Sequence, residues 1–157
     1  MRENKFRVWD KENNKYFEPT YEAYKGNLED LHLDLCGTLC MRTMDAFIHC
    51  PSKFPDRFVV EFFTGLKDKN GKDIYEGDVV EYWDICSDNY ILRQTGKDSK
   101  KTIGEIAYYE ARCQFLPQEI KKNHKGGNYI THWDMVEDCE VIGNIYESPE
   151  LLKDIKV

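Results

Sequence analysis

Apolar and polar residues alternate along several short stretches of the first third of the chain, as in β-strands whose two faces meet different surroundings. Lys5 to Trp9 and the pair Tyr16-Phe17 predict a first hairpin with its turn in residues 10–14. Leu31, Leu33 and Leu35 alternate with polar residues and predict a further strand. Residues 19–28 fit one short helix, whereas residues 38–50 fit strand and helix equally.

The second half of the chain is richer in strand and turn signals. Residues 58–63 are β-prone, and Asn70-Gly71 predicts a two-residue type I′ turn, which needs positive φ at both positions. Glu76-Gly77-Asp78 predicts a second turn. Further strands are predicted at residues 79–83, 102–109, 113–116, 128–133 and 140–146.

The end of the chain has the signals of a helix start. Ser148 is a capping residue type, Pro149 suits the first helical position, and Glu150 favours the positive helix end. Leu151, Leu152 and Ile155 follow at helical spacing.

Many short strands separated by turns predict an α+β protein that is mainly β. Residues 57–147 are expected to form a small, strongly bent sheet or SH3-like barrel, closed by the short C-terminal helix. Pro51 and Pro55 mark a joint, so we divide the chain into a β-rich region 1–56 and a barrel-like region 57–157. We expect the two to pack into one structural unit with a shared core.

Composition narrows the class of protein. The chain has 157 residues, of which 41% are hydrophobic and 13% aromatic, which excludes a disordered chain. The longest apolar stretch, at 58–63, is interrupted by Glu61, whereas a membrane span needs ~20 residues. The charged start has no apolar run behind it, so no secretion signal is visible and a cytoplasmic protein is expected.

Six cysteines without a secretion signal predict free thiols rather than a disulfide framework. They are Cys36, Cys40, Cys50, Cys86, Cys113 and Cys139. A zinc site is the alternative, built from Cys36, Cys40, His49 and Cys50. The adjacent pair His49-Cys50 fits it badly, because neighbouring residues rarely direct both side chains at one ion. We therefore predict no metal and no cofactor.

Two other groups of residues are candidates for chemistry. The carboxylates Asp68, Asp73, Glu76 and Asp78 are close enough in sequence to act as acid and base or to bind Mg²⁺. Interleaved lysines favour solvated turn residues instead, with Asp78 bonded to a backbone N–H. The histidines, at positions 32, 49, 124 and 132, belong to no recognisable catalytic motif.

Charge is distributed unevenly. The net charge of −7 argues against a generally basic nucleic-acid binder. Eight basic and four acidic residues between Arg93 and Lys125 nevertheless give that stretch +4, which leaves −11 for the rest. Aromatic residues lie between two basic clusters, an arrangement that small barrels use to bind nucleic acid. The candidate contacts are Lys97, Lys100, Lys101, Lys121, Lys122 and Lys125. Two solvated loops are the favoured interpretation.

Three segments in this order resemble the YopX family of bacteriophage and prophage proteins. They are residues 5–13 (KFRVWDKEN), 63–80 (FTGLKDKNGKDIYEGDVV) and 140–152 (EVIGNIYESPELL). The long central segment is the most specific of them. Phe62 departs from the family, which usually has glutamine there, and residues 26–56 and 93–125 show no resemblance.

The resemblance implies a mainly β, oligomeric phage accessory protein without catalytic residues to carry over. The residues of the central segment suit a structural motif, in which glycines permit tight turns and apolar residues pack. The residues assigned to this structural motif are Gly65, Asn70, Gly71, Tyr75, Gly77 and Asp78.

We therefore predict a non-enzymatic, homo-oligomeric interaction module in the cytoplasm of a bacterial host, with a further phage or host protein as partner and no membrane. A nucleic-acid-binding small barrel is the alternative, and a hydrolase using the 68–78 carboxylates comes third. The sequence names neither the partner nor the activity.

Overall fold

The computed structural model describes residues 5–22, 25–83, 101–109, 114–119 and 139–152. Within them the strands are β1 (Phe6–Asp10), β2 (Lys15–Tyr16), β3 (Thr20–Glu22), β4 (Asn27–Leu33), β5 (Leu39–Thr43), β6 (Phe47–His49), β7 (Phe58–Lys67), β8 (Asp73–Tyr75), β9 (Asp78–Trp83), β10 (Lys101–Tyr109), β11 (Gln114–Glu119) and β12 (Glu140–Asn144). A four-residue helix, α1 (Cys50–Lys53), and a 3₁₀ helix, Pro149–Leu152, accompany them. The protein is mainly β with a strongly curled, half-barrel sheet, which confirms the predicted fold class.

The chain divides into two compact units, of which the N-terminal one spans Phe6 to Glu61. Strands β3, β4, β5 and β6 form an antiparallel meander in that order, and β2, β1 and the first half of β7 lie side by side. Its core contains Val8, Leu31, Leu39, Met41 and Cys50. Leu31 and Leu33 of β4 therefore face the core, as their spacing predicts, but Leu35 lies beyond the end of β4 and is fully exposed.

The first hairpin is confirmed, and its turn is held by a side chain. The Asp10 Oδ1 accepts hydrogen bonds from the backbone N–H groups of Glu12 (3.0 Å) and Asn13 (3.4 Å). This is an Asx-type turn, in which a short carboxylate replaces backbone partners. It places β2 beside β1, with Trp9 opposite Tyr16.

The helix predicted for residues 19–28 is wrong. Thr20–Glu22 is strand β3, and Asn27 and Leu28 begin strand β4, with Tyr21 paired to Leu28. Pairing with a long strand overrides weak local helix propensity, because the strand residues gain backbone hydrogen bonds to their neighbour and side-chain packing on the sheet. The ambiguous stretch 38–50 is resolved as strands β5 and β6, and Pro51 enters the first turn of α1.

The C-terminal unit comprises residues 1–5 and 62–157. Its antiparallel sheet has the order β11-β10-β9-β12, and the second half of β7 pairs with β8. Ile74, Val80, Tyr82, Ile106 and Cys139 form its core. The predicted strand at 128–133 lies outside the described residues.

The predicted terminal helix begins at Pro149 but is a 3₁₀ helix as far as it is described, with the Leu151 N–H bonded to the Ser148 carbonyl at 3.0 Å. Gly143 of β12 lies directly beneath it. A Cβ built there would stand 2.7 Å from Leu151 Cδ1 and 2.9 Å from Ser148 Oγ, so only glycine fits without displacement. In the described part of the chain, no helix has the length and apolar content that crossing a membrane requires.

Candidate functional site

The turn between β7 and β8 is organised by one buried carboxylate, that of Asp68. Its Oδ1 accepts hydrogen bonds from the N–H groups of Asn70 (2.8 Å) and Lys72 (2.9 Å), and its Oδ2 accepts one from Val141 (3.1 Å). Burial alone raises the Asp68 pKa, but these backbone hydrogen bonds outweigh it and lower the pKa below its ordinary value. Asp68 thus ties the turn to β12, 73 residues further along the chain.

The type I′ turn predicted at Asn70-Gly71 is wrong. Gly71 has φ +82°, but Asn70 has no positive φ, and Asp68 and Lys72 are joined by a backbone hydrogen bond of 2.8 Å. The loop therefore has three residues, with glycine alone in the left-handed region. Across this loop the Asp68 carboxylate reaches the Lys72 N–H.

The prediction that Gly65 lies in a tight turn is wrong, because this residue lies within strand β7. Gly65 has a φ of +91° and stands between Phe63 and Lys67, where the pairing with β8 shifts register. A left-handed glycine at such a shift is the signature of a β-bulge. The same bulge brings the buried Thr64 hydroxyl within 2.8 Å of the Ile74 carbonyl, to which it donates.

We expect Gly71→Val to lower the melting temperature by roughly 2–8 °C, because a β-branched residue in the left-handed region costs ~1–2 kcal/mol. A Cβ at Gly71 would meet nothing within 4 Å, so backbone strain is the whole cost. Gly71→Asn, which tolerates this conformation, is the matched control. Equal melting temperatures for Gly71→Val and the wild type would contradict this role of Gly71.

Asp78 and Asn144 form a second buried junction in the C-terminal unit. The Asp78 Oδ2 accepts the Tyr75 N–H at 2.8 Å, which confirms the predicted bond to a backbone N–H. Its Oδ1 accepts the Asn144 amide at 3.4 Å, and the Asn144 Oδ1 accepts the Tyr146 N–H at 2.9 Å. Asp78 and Asn144 are each only 1% exposed, so these bonds hold the turn at Gly77 against β12.

The other two carboxylates of the motif serve separate partners. Asp73 is paired with Lys67 and Lys5, which lower its pKa, the hydrogen bond from Lys67 contributing most. The Glu76 Oε2 accepts the Phe62 N–H at 2.8 Å. Each of the four acids is thus bound to structural neighbours, an arrangement suited to fixing turns.

Sequence reasoning missed two buried arginine–carboxylate pairs in the N-terminal unit. Arg57 donates to both oxygens of Asp10, at 3.0 and 2.7 Å, and Asp10 is 2% exposed. Arg7 Nε donates to Glu61 at 2.6 Å, and the Tyr16 hydroxyl donates to the same oxygen at 3.0 Å. The Arg57 hydrogen bond lowers the Asp10 pKa to about 2.

These pairs lie near a cleft of about 390 Å³ within the N-terminal unit, bordered by Asp10, Tyr16 and Arg57. A carboxylate held ionised by a bidentate arginine is a poor general acid or base near neutral pH. The sequence places Asp10 in a turn but does not reveal its pairing with Arg57, because that partner is 47 residues away.

The meander β3–β6 presents one face away from the core of its unit. Residues directly opposite each other in antiparallel strands share a face. Because Leu31 and Met41 belong to the core, the alternate positions form the opposite side, which we call the outer face. It carries Tyr21, Asp30, His32, Cys40, Arg42 and Phe47.

Large rings on the outer face are strongly exposed. Tyr21 is 65% and Phe47 75% exposed. Neither ring is loose, since the Tyr21 hydroxyl donates to Asp30 at 3.0 Å and Phe47 meets the His32 ring edge-on at 6.1 Å. Alternation of apolar and polar residues indicates that each strand has an outward side. The width of the outer face depends on how the four strands pair, which the sequence does not show.

The cysteines of the suggested zinc set do not converge. Cys36 is exposed in the turn before β5, Cys40 lies on the outer face, and Cys50 is buried in the core, where desolvation raises its pKa. Across the described ranges, no three His, Cys, Asp or Glu side chains are arranged to hold a metal ion. Cys86, Cys113, His124 and His132 lie outside those ranges.

Most of the basic candidates also fall outside the described residues: Lys97, Lys100, Lys121, Lys122 and Lys125. Lys101 is the first residue of β10. Towards the other end of β10, Tyr108 lies opposite Phe115 of β11, with ring centroids 5.1 Å apart.

Comparison with known proteins gives a family and a fold. The family model described as YopX protein matches residues 5–153. Among solved structures, the chain is similar to the crystal structure of protein EF1440 from Enterococcus faecalis, with a TM-score of 0.52 and 23% identity over 97% of this chain and 99% of that one. At that identity the likeness concerns the fold alone. No curated protein matches the chain.

Proposed function

This chain belongs to the YopX family, and from that premise we propose that it is a non-enzymatic, oligomeric protein-interaction module of a bacteriophage or prophage, acting in the host cytoplasm. The observation that carries the proposal is the outer face of the N-terminal unit, with its exposed aromatic rings. The phage setting rests on the resemblance of the three sequence segments.

Aromatic residues are enriched where proteins meet, because they bury a large area for little loss of side-chain freedom. Scattered single apolar residues on a surface need no explanation. Tyr21 and Phe47 are different, since both lie on one sheet face and are held by neighbours on that face. A patch fixed before binding loses less entropy when a partner docks.

The geometry of the acids supports the non-enzymatic part of the proposal. A hydrolase that used the 68–78 carboxylates as acid and base would need two of them aimed at a common reacting atom. Asp68 and Asp78 instead accept buried backbone N–H groups, and Asp73 binds lysines. This favours a folding role for the 68–78 motif.

The proposal is tested with immobilised protein in nuclease-treated extract of a lysogenic host. We expect Phe47→Glu to lose proteins that the wild type retains, because a charge replaces an apolar contact. Leu35→Glu is the matched control, since Leu35 is a fully exposed apolar residue in the turn before β5. Identical retention by the wild type and Phe47→Glu would refute a docking role for the outer face.

The alternative, nucleic-acid binding, draws support from the Tyr108–Phe115 ring pair, which lies between the two basic clusters of the stretch 93–125 in the sequence. We nevertheless expect dissociation constants weaker than ~1 μM for single- or double-stranded DNA, because the net charge of −7 opposes a polyanion. Fluorescence anisotropy with random-sequence oligonucleotides at physiological salt measures this. Nanomolar binding that Lys100→Glu with Lys101→Glu abolishes would make the alternative the answer.

A further inference from the structure

Charges on the outer face are arranged in a self-complementary way. Asp30 of β4 lies directly opposite Arg42 of β5, so an acid and a base occupy the centre of the face side by side. Arg42 is exposed, and no ion pair or hydrogen bond joins it to the part of the chain that is described. Phe47 of β6 lies next in the same row, on the far side of Arg42.

We propose that the outer face binds the outer face of a second copy of this chain, related by a two-fold axis that runs along the strands between β4 and β5. This inference rests on the proposed function, because it names a partner for the same face. Rotation about that axis exchanges the β4 and β5 sides. Asp30 of each copy then faces Arg42 of the other, as an isologous contact requires.

The aromatic residues fit the same rotation. Tyr21 stands on the β3 side of the charged pair and Phe47 on the β6 side. The two-fold axis therefore brings Tyr21 of one copy to the side where Phe47 of the other lies. Sheets that pack face to face in this way keep their strands nearly aligned.

Size sets the expected strength of the contact. Four strands ~4.8 Å apart and about five residues long offer roughly 300 Å² of sheet, against ~800 Å² per partner in a standard interface. We expect a reversible dimer with a dissociation constant on the order of 10–100 μM.

Charge reversal tests the geometry by sedimentation equilibrium over a concentration series that brackets this range. Asp30→Arg alone places two arginine pairs in contact, and Arg42→Glu alone places two acid pairs in contact. We expect each to weaken association more than ~10-fold. An equimolar mixture of the two variants should dimerise like the wild type, because both cross-copy contacts are then of opposite sign.

Asp45→Arg and Lys53→Glu, exposed charges away from the outer face, are the controls and should leave association unchanged. Recovery in the mixture excludes misfolding of the single variants as the cause of their loss. If the two reversal variants associate as strongly as the wild type, this interface is overturned, but the proposal of an oligomeric module is not. A wild type that stays at 18.6 kDa throughout overturns self-association, while the Phe47→Glu experiment still decides whether the face binds another protein.

Discussion

Asp68→Ala is expected to lower the free energy of unfolding by ~2–4 kcal/mol, because it leaves buried backbone N–H groups without their acceptor. Asp68 is 6% exposed and accepts three such bonds, from Asn70, Lys72 and Val141. The first two set the loop between β7 and β8. The third joins this loop to β12, so the loss affects two places in the C-terminal unit at once.

The matched variant is Asp73→Asn, five residues further along the same motif. Asp73 makes its ion pairs with exposed lysines, and exposed pairs contribute only ~0–1 kcal/mol. Urea unfolding of both variants gives the two free energies. If Asp73→Asn proves more destabilising than Asp68→Ala, the motif does something other than hold the turn.

Sequence reasoning identified the elements of this motif but not its central residue. The left-handed Gly71 and the turn at Glu76-Gly77 follow from backbone rules that act over about four residues, whereas the bulge at Gly65 does not. The sequence does not distinguish Asp68 from Asp73 among the four carboxylates, because nothing in it places Val141 beside Asp68. The type I′ prediction is wrong because the loop has three residues, with Gly71 alone at positive φ, and the Asp68 carboxylate bonds to N–H groups across it.

The N-terminal unit shows where local propensity is overridden. Residues 19–28 carry a weak helix signal, yet Tyr21 and Leu28 are a cross-strand pair. The strength of that pairing comes from β5 and β6 beyond it, which a short window of sequence does not contain. The outer face likewise depends on pairing between strands, because Asp30 and Arg42 become neighbours only when β4 and β5 are in register.

Arginine–carboxylate pairing in the N-terminal unit should make its stability depend on pH. The Asp10 pKa falls from 3.8 to about 2, chiefly through the hydrogen bond from Arg57. A lowered pKa means that the folded state binds this proton less readily than the unfolded chain. The stabilisation of about 2 kcal/mol is therefore complete above the ordinary pKa and is lost as pH falls through about 2.

Arg57→Ala should cost ~3–5 kcal/mol at neutral pH, because it leaves the Asp10 carboxylate buried without its partner. Arg57 also stacks on Phe54 and Phe58, at 5.3 and 4.7 Å from the ring centres, so part of the loss is packing. The double variant Asp10→Asn with Arg57→Ala removes both charges and so separates the cost of an unpaired carboxylate from the cost of lost packing. The double variant keeps the packing loss but has no unpaired charge.

We therefore expect Asp10→Asn with Arg57→Ala to be more stable than Arg57→Ala alone at pH 7, and the two to converge as Asp10 becomes protonated in acid. Thermal melts of the wild type and both variants between pH 2 and pH 7 measure this difference. For Arg57→Ala, Asp10 loses the hydrogen bond that kept its pKa low, so convergence should occur at higher pH than the wild-type loss of stability. A constant gap between the two variants across the whole range would mean that the buried charge of Asp10 contributes nothing, and that Arg57 acts through its ring contacts alone.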